Sequence, residues 1–429
     1  MRSIHPLRGA VAAIAVAALA GTLGGCSAGS DPGVTTLNFF QFKGEAREDF
    51  DAIIAKFEAE NPDIKVVQNQ VADADTIIRT LLVKDKAPDV ITLNGNGNFG
   101  RLAQAGVFYD FSDEPVLDTI NPAVQDILAD LGNKQGEVNS LGYVNNANGI
   151  IYNADIFAEQ GIEVPETWDE LIAACETLKA AGIQPIYATL ADSWTSVPSF
   201  NGLGAYAVQD GFFDEMRAEG EDVGPDSEAS FAQDFAEPLD RELQLYSYAQ
   251  DGYRGATYDD GNAAFARGEA AMLLQGIWAV NGIKQVNPDI HAAIFPYPTD
   301  DEADRLIVSG VDVTVTMGRN TPHREEALRF IEFMFRPDVI EEFAASQNMI
   351  PSVEGADLSD DLALQSVKPF FDEGRITGFL DHQIPPGIPL AEFVQESIFT
   401  GDADATLATL DNEWRKIAAR TIPVTEDRS

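Results

Sequence analysis

Six residues, GNGNFG at Gly95–Gly100, fit the spacing G-x-G-x-x-G directly after the strand-like VITL and before a plausible helix. In that context the spacing can cradle a dinucleotide pyrophosphate on a helix N-terminus. Here the intervening asparagines suit hydroxyls better than phosphates, and the chain's first strand, where such a fingerprint normally sits, lacks it. What survives is a strand whose carboxyl end opens into a Gly/Asn loop, the place where an α/β sheet binds ligands. A second stretch, FARGEAAMLLQGIWAV (Phe265–Val280), poses a sharper question. Ala270, Met272 and Leu274 alternate as in a strand, Gln275-Gly276 interrupts, and Trp278 follows. Either a buried strand runs on into a loop, or an indole is placed for something the protein must hold.

Other chemistry is excluded more easily. GCSAG (Gly25–Gly29) matches G-x-S-x-G only by letter, because no strand-turn-helix elbow surrounds Ser27. His291, His323 and His382 have no second His or Cys at zinc spacing. DADATL (Asp402–Leu407) begins like a calcium loop, but Thr406 and Leu407 replace the third ligand and the glycine. With 70 Asp and Glu residues, carboxylate pairs occur everywhere and single out no glycosidase. No catalytic residue, metal site or cofactor is expected.

The elements that must position these residues follow a β-α-β-α-β rhythm. VTTLNFFQF (Val34–Phe42) reads as a strand, and Phe50, Ile53, Ile54 and Phe57 mark a helix that Asn61-Pro62 stops. Strands at Ile64–Val67 and Ala87–Leu93 come next, which implies a mainly parallel sheet covered by helices. Thr167 with Glu170 forms a capping box for ETWDELIAACETLKAAG, where Cys175 falls in phase with Trp168, Leu171 and Leu178 as a small buried hydrophobe. LIVSGVDVTVTM reads as a strand pair, and TPHREEALRFIEFMF as a helix capped by Thr321 with Pro322 in its first turn. Leu407, Leu410, Trp414 and Ile417 share one face of a last helix.

At 429 residues the chain can build two core-bearing lobes. Its 28 Lys and Arg against 70 Asp and Glu give a net charge of −42, a field that repels nucleic acid and anionic lipid. The N-terminus carries Arg2 and Arg8, then the uncharged Gly9–Leu23, then LGGC ending at Cys26. The run is too short for a comfortable span and sits where a secretion signal belongs. Residues 1–25 are therefore expected to be removed as a lipoprotein signal, with Cys26 lipidated as the new N-terminus and 26–33 as a tether. The membrane is met through that anchor only, on the extracytoplasmic face.

Several stretches together resemble the family 1 extracellular solute-binding proteins, the sugar-capturing components of ABC importers. They are GYVNNANGIIYNADIFAEQGIEVPETWDEL (Gly142–Leu171), FARGEAAMLLQGIWAV, FPYP (Phe295–Pro298), GVDVTV with EEALRFIEFMF, and GDADATLATLDNEW, in the family's order from about Leu37 to Ile417. The resemblance implies an α/β, two-lobed periplasmic-binding-protein-like fold with a hinge between lobes. It places 34–145 plus 296–336 in an N-terminal lobe and 146–295 plus 337–429 in a C-terminal one. Crossings are expected near Val144–Gly149, His291–Tyr297 and Phe335–Val339. The implied partners are a mono- or oligosaccharide and ABC permease subunits, and no enzymatic activity is implied.

Sugars present apolar C–H faces and hydroxyl edges, so the resemblance also implies a site of aromatic platforms and amide or carboxylate hydrogen-bonders. Its positions here are Gln41, Lys43, Asn94, Asn96, Tyr143, Asn146, Trp194, Gln275, Gly276, Trp278 and Asp312. A plainer reading makes Trp278 core, the asparagines turn formers and Asp312 a hinge hydrogen-bonder. The chain departs from the family pattern at Phe39-Phe40-Gln41-Phe42, where relatives often carry a tryptophan. It departs again at DHQIPPGIPLAEF, whose polar candidates are Asp381, His382 and Glu392. A polyamine or metal-chelate receptor of the same fold, or a secreted glycosidase, are the competing classes.

Overall fold

The computed structural model describes residues 33–419, except 72–73, 85, 210, 225–226 and 302–304. The signal segment and Cys26 lie outside the described residues. Strand β1 (Thr35–Gln41) leads into a helix, Arg47–Glu60, that buries Phe50, Ile53, Ile54 and Phe57, the four positions its periodicity marks. β2 (Ile64–Gln70) and β3 (Val90–Leu93) both pair with β1 in parallel, so the opening rhythm yields three parallel strands.

That sheet is completed by β4 (Leu141–Asn145), β10 (Val311–Thr316) and β11 (Ile350–Pro351), in the order β11-β4-β10-β3-β1-β2. A second sheet orders β12 (Ile376–Thr377), β9 (Ile307–Val308), β5 (Asn148–Asn153), β7 (Ala270–Gly276) and β6 (Gln184–Ile186), with β8 (Ala292–Phe295) also paired to β5. Neither sheet is mainly parallel. β10 runs antiparallel to both β3 and β4, and β5 antiparallel to β7, β8 and β9. The cause is connectivity: β4 passes into β5, and β9 into β10, through two residues each, and a strand arriving that way needs no helical crossover.

The crossings therefore sit at Asn146-Ala147, at Ser309-Gly310, and between Pro351 and Leu362. The first lies within Val144–Gly149 as expected. The other two do not match. β8 falls inside the expected His291–Tyr297 crossing, yet it pairs with β5 within the second sheet. The helices Arg324–Met334 and Pro337–Gln347, on either side of Phe335–Val339, both pack against Arg47–Glu60 on the first sheet. By sheet membership the second portion of the first lobe is 310–351, not 296–336. The strand pair expected in LIVSGVDVTVTM is thus two strands of different sheets.

Local capping was read correctly in one place and not in another. Thr167 and Glu170 form the capping box of the helix Trp168–Ala180. The helix expected to start at Thr321 starts at Arg324, because Thr321 Oγ1 donates to Asp89 Oδ1 at 2.5 Å and accepts from His323 N at 3.2 Å instead. Cys175 is fully buried, and burial pushes its thiol up to about 12, which removes it from nucleophilic chemistry.

Two apolar cores hold the elements. The first joins Phe39, Phe50, Phe57 and Phe330 to Leu273, Ile277 and Ile294, and so continues from one sheet under the other. The second packs Trp168, Phe200, Phe231, Phe235 and Trp414 on the opposite face of the second sheet. β7 is buried along its whole length, with Leu273 in the first core and Met272 and Leu274 in the second. Its alternation divides two cores rather than core from solvent.

Candidate functional site

A cavity of about 640 Å³ opens between the two sheets. Its first wall is built at the carboxyl end of β3. Asn94 Nδ2 donates to the main-chain oxygen of Asp312 at 3.1 Å, and Gly95 N donates to Val311 O at 2.9 Å. Asn96 Oδ1 accepts from Asn98 N and Phe99 N at 2.9 and 3.1 Å, capping the helix Gly97–Gln104. GNGNFG is accordingly a capping turn whose glycines allow close approach. A Cβ on Gly95 would lie 2.9 Å from Val311 O, and one on Gly97 would lie 2.7 Å from His382 O. Asp312, on β10, completes this wall.

The floor is the crossing itself. Asn146 N donates to Gly310 O at 3.0 Å, Gly310 N donates back to Asn146 Oδ1 at 2.8 Å, and Ser309 Oγ donates to Asn146 O at 2.8 Å. The two inter-sheet segments are clasped through one carboxamide. Phe379 lies over Gly310, where a Cβ would come within 2.6 Å of its ring.

The second wall carries the rings. Trp278 follows β7, and its Nε1 donates to Gln275 Oε1 at 3.0 Å, which fixes the plane of the indole. A Cβ on Gly276 would overlap that indole, so the glycine exists to let the ring lie flat on the main chain. Phe379 sits 6.2 Å from Trp278, and His382 5.2 Å from Phe379, between ring centres. Trp194, 43 % exposed, leans on Tyr258 at 5.0 Å. On the helix Val197–Gly204, Asn201 Nδ2 donates to Asp381 Oδ1 at 2.9 Å, and Asp381 N donates back to Asn201 Oδ1 at 3.1 Å. Ile384, Pro385, Pro386 and Ile388 form the remaining side.

Of the residues expected at the site, Asn94, Asn96, Asn146, Trp194, Trp278 and Asp312 line this cavity. Gln275 and Gly276 do not line the cavity but lie against Trp278. Gln41 is fully buried, its Nε2 donating to Gln68 Oε1 at 2.8 Å. Tyr143 is also core, packed between Phe335 and Phe343 at 5.3 and 5.1 Å. Burial, with a contribution from the charge of Asp49, lifts its phenol far above the usual value. Lys43 lies behind Asp312, outside the lining. Asp381 and His382 line the cavity, whereas Glu392 is exposed elsewhere. Asn201 and Phe379 were not anticipated. The sequence signal for that side was DHQIPPGIPLAEF, whose Asp381 and His382 are in the lining.

The lining offers rings for apolar faces and carboxamides for hydroxyls. Among the described residues, no three His, Cys, Asp or Glu side chains cluster as metal ligands.

A ligand cavity between two α/β sheets joined by short crossings defines a solute receptor of the two-lobed kind. Residues 43–341 match the bacterial extracellular solute-binding protein family, and the chain belongs to it. It is 29 % identical over 305 residues to the multiple sugar-binding protein of Streptococcus mutans, covering 70 % of each chain. It is 24 % identical over 351 residues to the sn-glycerol-3-phosphate-binding protein UgpB of Shigella flexneri, covering 76 % of each. Among solved structures, apo RafE of Streptococcus pneumoniae superposes with a TM-score of 0.81 at 26 % identity, over 91 % of this chain and all of that one. RafE in complex with raffinose gives 0.72 at 26 % identity, over 90 % of this chain and all of that one.

Proposed function

We propose that this protein is the lipid-anchored, extracytoplasmic receptor of an ABC importer, and that its solute is an oligosaccharide of the raffinose kind. The observation that carries the reading is the pairing of indoles, Trp194 and Trp278, with the carboxamides of Asn94, Asn96, Asn146 and Asn201 around one inter-sheet cavity. Rings cover the C–H faces of pyranoses, and carboxamides both donate to and accept from hydroxyls. Asp312 and Asp381 each hold a protein partner, which suits binding rather than acid-base catalysis. The sugar-binding relatives support the same choice. A glycerol phosphate, as in UgpB, would call for an unengaged cation in the lining, and Lys43 is turned to Asp312 instead.

Lobe closure follows from ligand contacts to both sheets, since only differential affinity shifts an open–closed equilibrium. Cys26 carries the lipid, and a permease receives the loaded protein. A thermal-shift panel of raffinose, stachyose, melibiose, sn-glycerol-3-phosphate and spermidine tests the solute. A ligand at a hundred times its Kd adds about 2.7 kcal/mol of stability. The oligosaccharides should raise Tm, and a rise with the phosphate or the polyamine alone would overturn the assignment. Cys26→Ser should release the protein from the membrane fraction.

A further inference from the structure

The charge at the cavity wall is arranged more closely than sugar binding by itself requires. Lys43 Nζ donates to Asp312 Oδ2 at 2.8 Å and lies 3.0 Å from Glu45 Oε1. The Lys43 and Asp312 side chains are 9 % and 15 % exposed, whereas that of Glu45 is 67 % exposed. Only Asp312 of the three borders the cavity. Lys43 follows β1 by two residues and Asp312 lies in β10, so both belong to the first sheet and their pairing does not depend on how the lobes stand. Burial alone would lower the lysine's pKa, and the attraction and hydrogen bonds of Asp312 and Glu45 outweigh it. The ammonium therefore stays charged behind the wall.

This geometry separates the two carboxylate oxygens of Asp312. Oδ2 is occupied by Lys43, and no protein donor among the described residues reaches Oδ1. A carboxylate alone in a half-enclosed cavity recruits cations, because an ammonium guest replaces its lost hydration with the opposite charge. With Lys43 behind it, the Lys43–Asp312 pair itself has no net charge; Glu45, the third member of the cluster, does not border the cavity, and Asp381, which does, is held by the neutral Asn201. The remaining oxygen still accepts a strong hydrogen bond from a hydroxyl.

We propose that Lys43 is a positioning and specificity-determining residue: it offsets the charge of Asp312 and leaves one carboxylate oxygen for a ligand hydroxyl, so that this wall of the cavity favours uncharged polyols over amines. The hydroxyl half of this rests on the carbohydrate reading above. The charge half does not.

Calorimetry with raffinose and with spermidine, on purified full-length protein and four variants, tests it. The wild type should bind raffinose and ignore spermidine at millimolar concentration. Lys43→Met should weaken raffinose more than tenfold and gain spermidine binding. Asp312→Asn should weaken raffinose without that gain, and Lys43→Met added to Asp312→Asn should change raffinose affinity less than threefold further. Lys43→Arg, which keeps the charge, should stay within about fivefold of wild type and remain blind to spermidine. A merely structural lysine would not move the amine arm, so Lys43→Met without spermidine binding overturns the proposal. So does a loss that multiplies with that of Asp312→Asn. If the wild type ignores raffinose, the carbohydrate reading fails on its own, and the spermidine arm still decides the role of Lys43. If Lys43→Met shows no melting transition, Lys43→Gln takes its place in both arms.

Discussion

Replacing Trp278 by alanine removes the ring that Gln275 and Gly276 exist to orient. A tryptophan buries roughly 150–250 Å² when enclosed. A pyranose covering about a third of that takes ~60 Å² of ring from water, worth about 1.5 kcal/mol at ~25 cal/mol per Å². Trp278→Ala should therefore weaken raffinose binding by about tenfold or somewhat more. Truncation by itself cannot separate a platform from a prop, and Gly276→Ala can. That substitution keeps the indole but places a methyl where the ring lies and also presses it on the carbonyl oxygen of Ala147. Relief of the first contact moves the indole, and relief of the second needs a shift of the main chain where Gly276 pairs with Asn148 beside the crossing. The displaced indole loses its bond to Gln275 Oε1 and its place over the cavity. Calorimetry should find Gly276→Ala nearly as weak as Trp278→Ala, with the double variant no weaker than either. Full affinity in Gly276→Ala, or multiplying losses, would refute the idea that glycine and indole form one device.

Three other substitutions probe the rest of the structure. Tyr143→Phe removes a hydroxyl that has no partner in a sealed core, so stability should change by less than ~1 kcal/mol and raffinose affinity by less than twofold in calorimetry. A tenfold loss would put Tyr143 at the ligand after all. Asn146→Ala strands the buried amide of Gly310 and should cost about 1–3 kcal/mol in urea unfolding, because Asn146 Oδ1 is that amide's acceptor. The buried carboxyl of Glu242, beside Ser199 Oγ at 2.5 Å, is pushed by burial from 4.5 up to about 8, with the serine hydrogen bond acting in the opposite direction. A raised acid holds its proton in the folded state only, so stability is full below about pH 4.5 and falls as pH rises to about 8. By pH 7 the loss is about 3 kcal/mol. Glu242→Gln should flatten Tm between pH 5 and 8, and an unchanged slope would show that Glu242 is not the group titrating.

What could be read before the structure was local. The helix at Arg47–Glu60 and the box of Thr167 with Glu170 are set by residues three or four apart, and both formed as their spacing implies. Sheet membership is not local. Ile307–Val308 and Val311–Thr316 are separated by two residues, yet partners in distant parts of the chain draw them into different sheets. Tyr143 and Asn146 show the same limit at the site. Every residue of β4 is buried, so alternation within GYVNN does not tell a core face from a cavity face. Asn201 was hidden for another reason: its meaning lies in Asp381, 180 residues away.

The residues nearest the crossings and those farthest from them should do different work. Asn146, Asp312 and Phe379 lie at or beside Asn146-Ala147 and Ser309-Gly310, where rotation of one sheet against the other moves them least. Contacts there add affinity in open and closed forms alike, and a ligand that touched only them would shift no equilibrium. Trp194, on the second wall, and Asn96, on the first, line the same cavity, so a ligand that touches both ties the walls together. One approach is already made, since His382 O lies against Gly97, a position with no side chain to hold it off. The glycine in the capping turn thus admits the close contact with His382 O. Within a motif that reads by letter as a nucleotide fingerprint, Gly97 is explained by a close contact with His382 O that a Cβ would prevent.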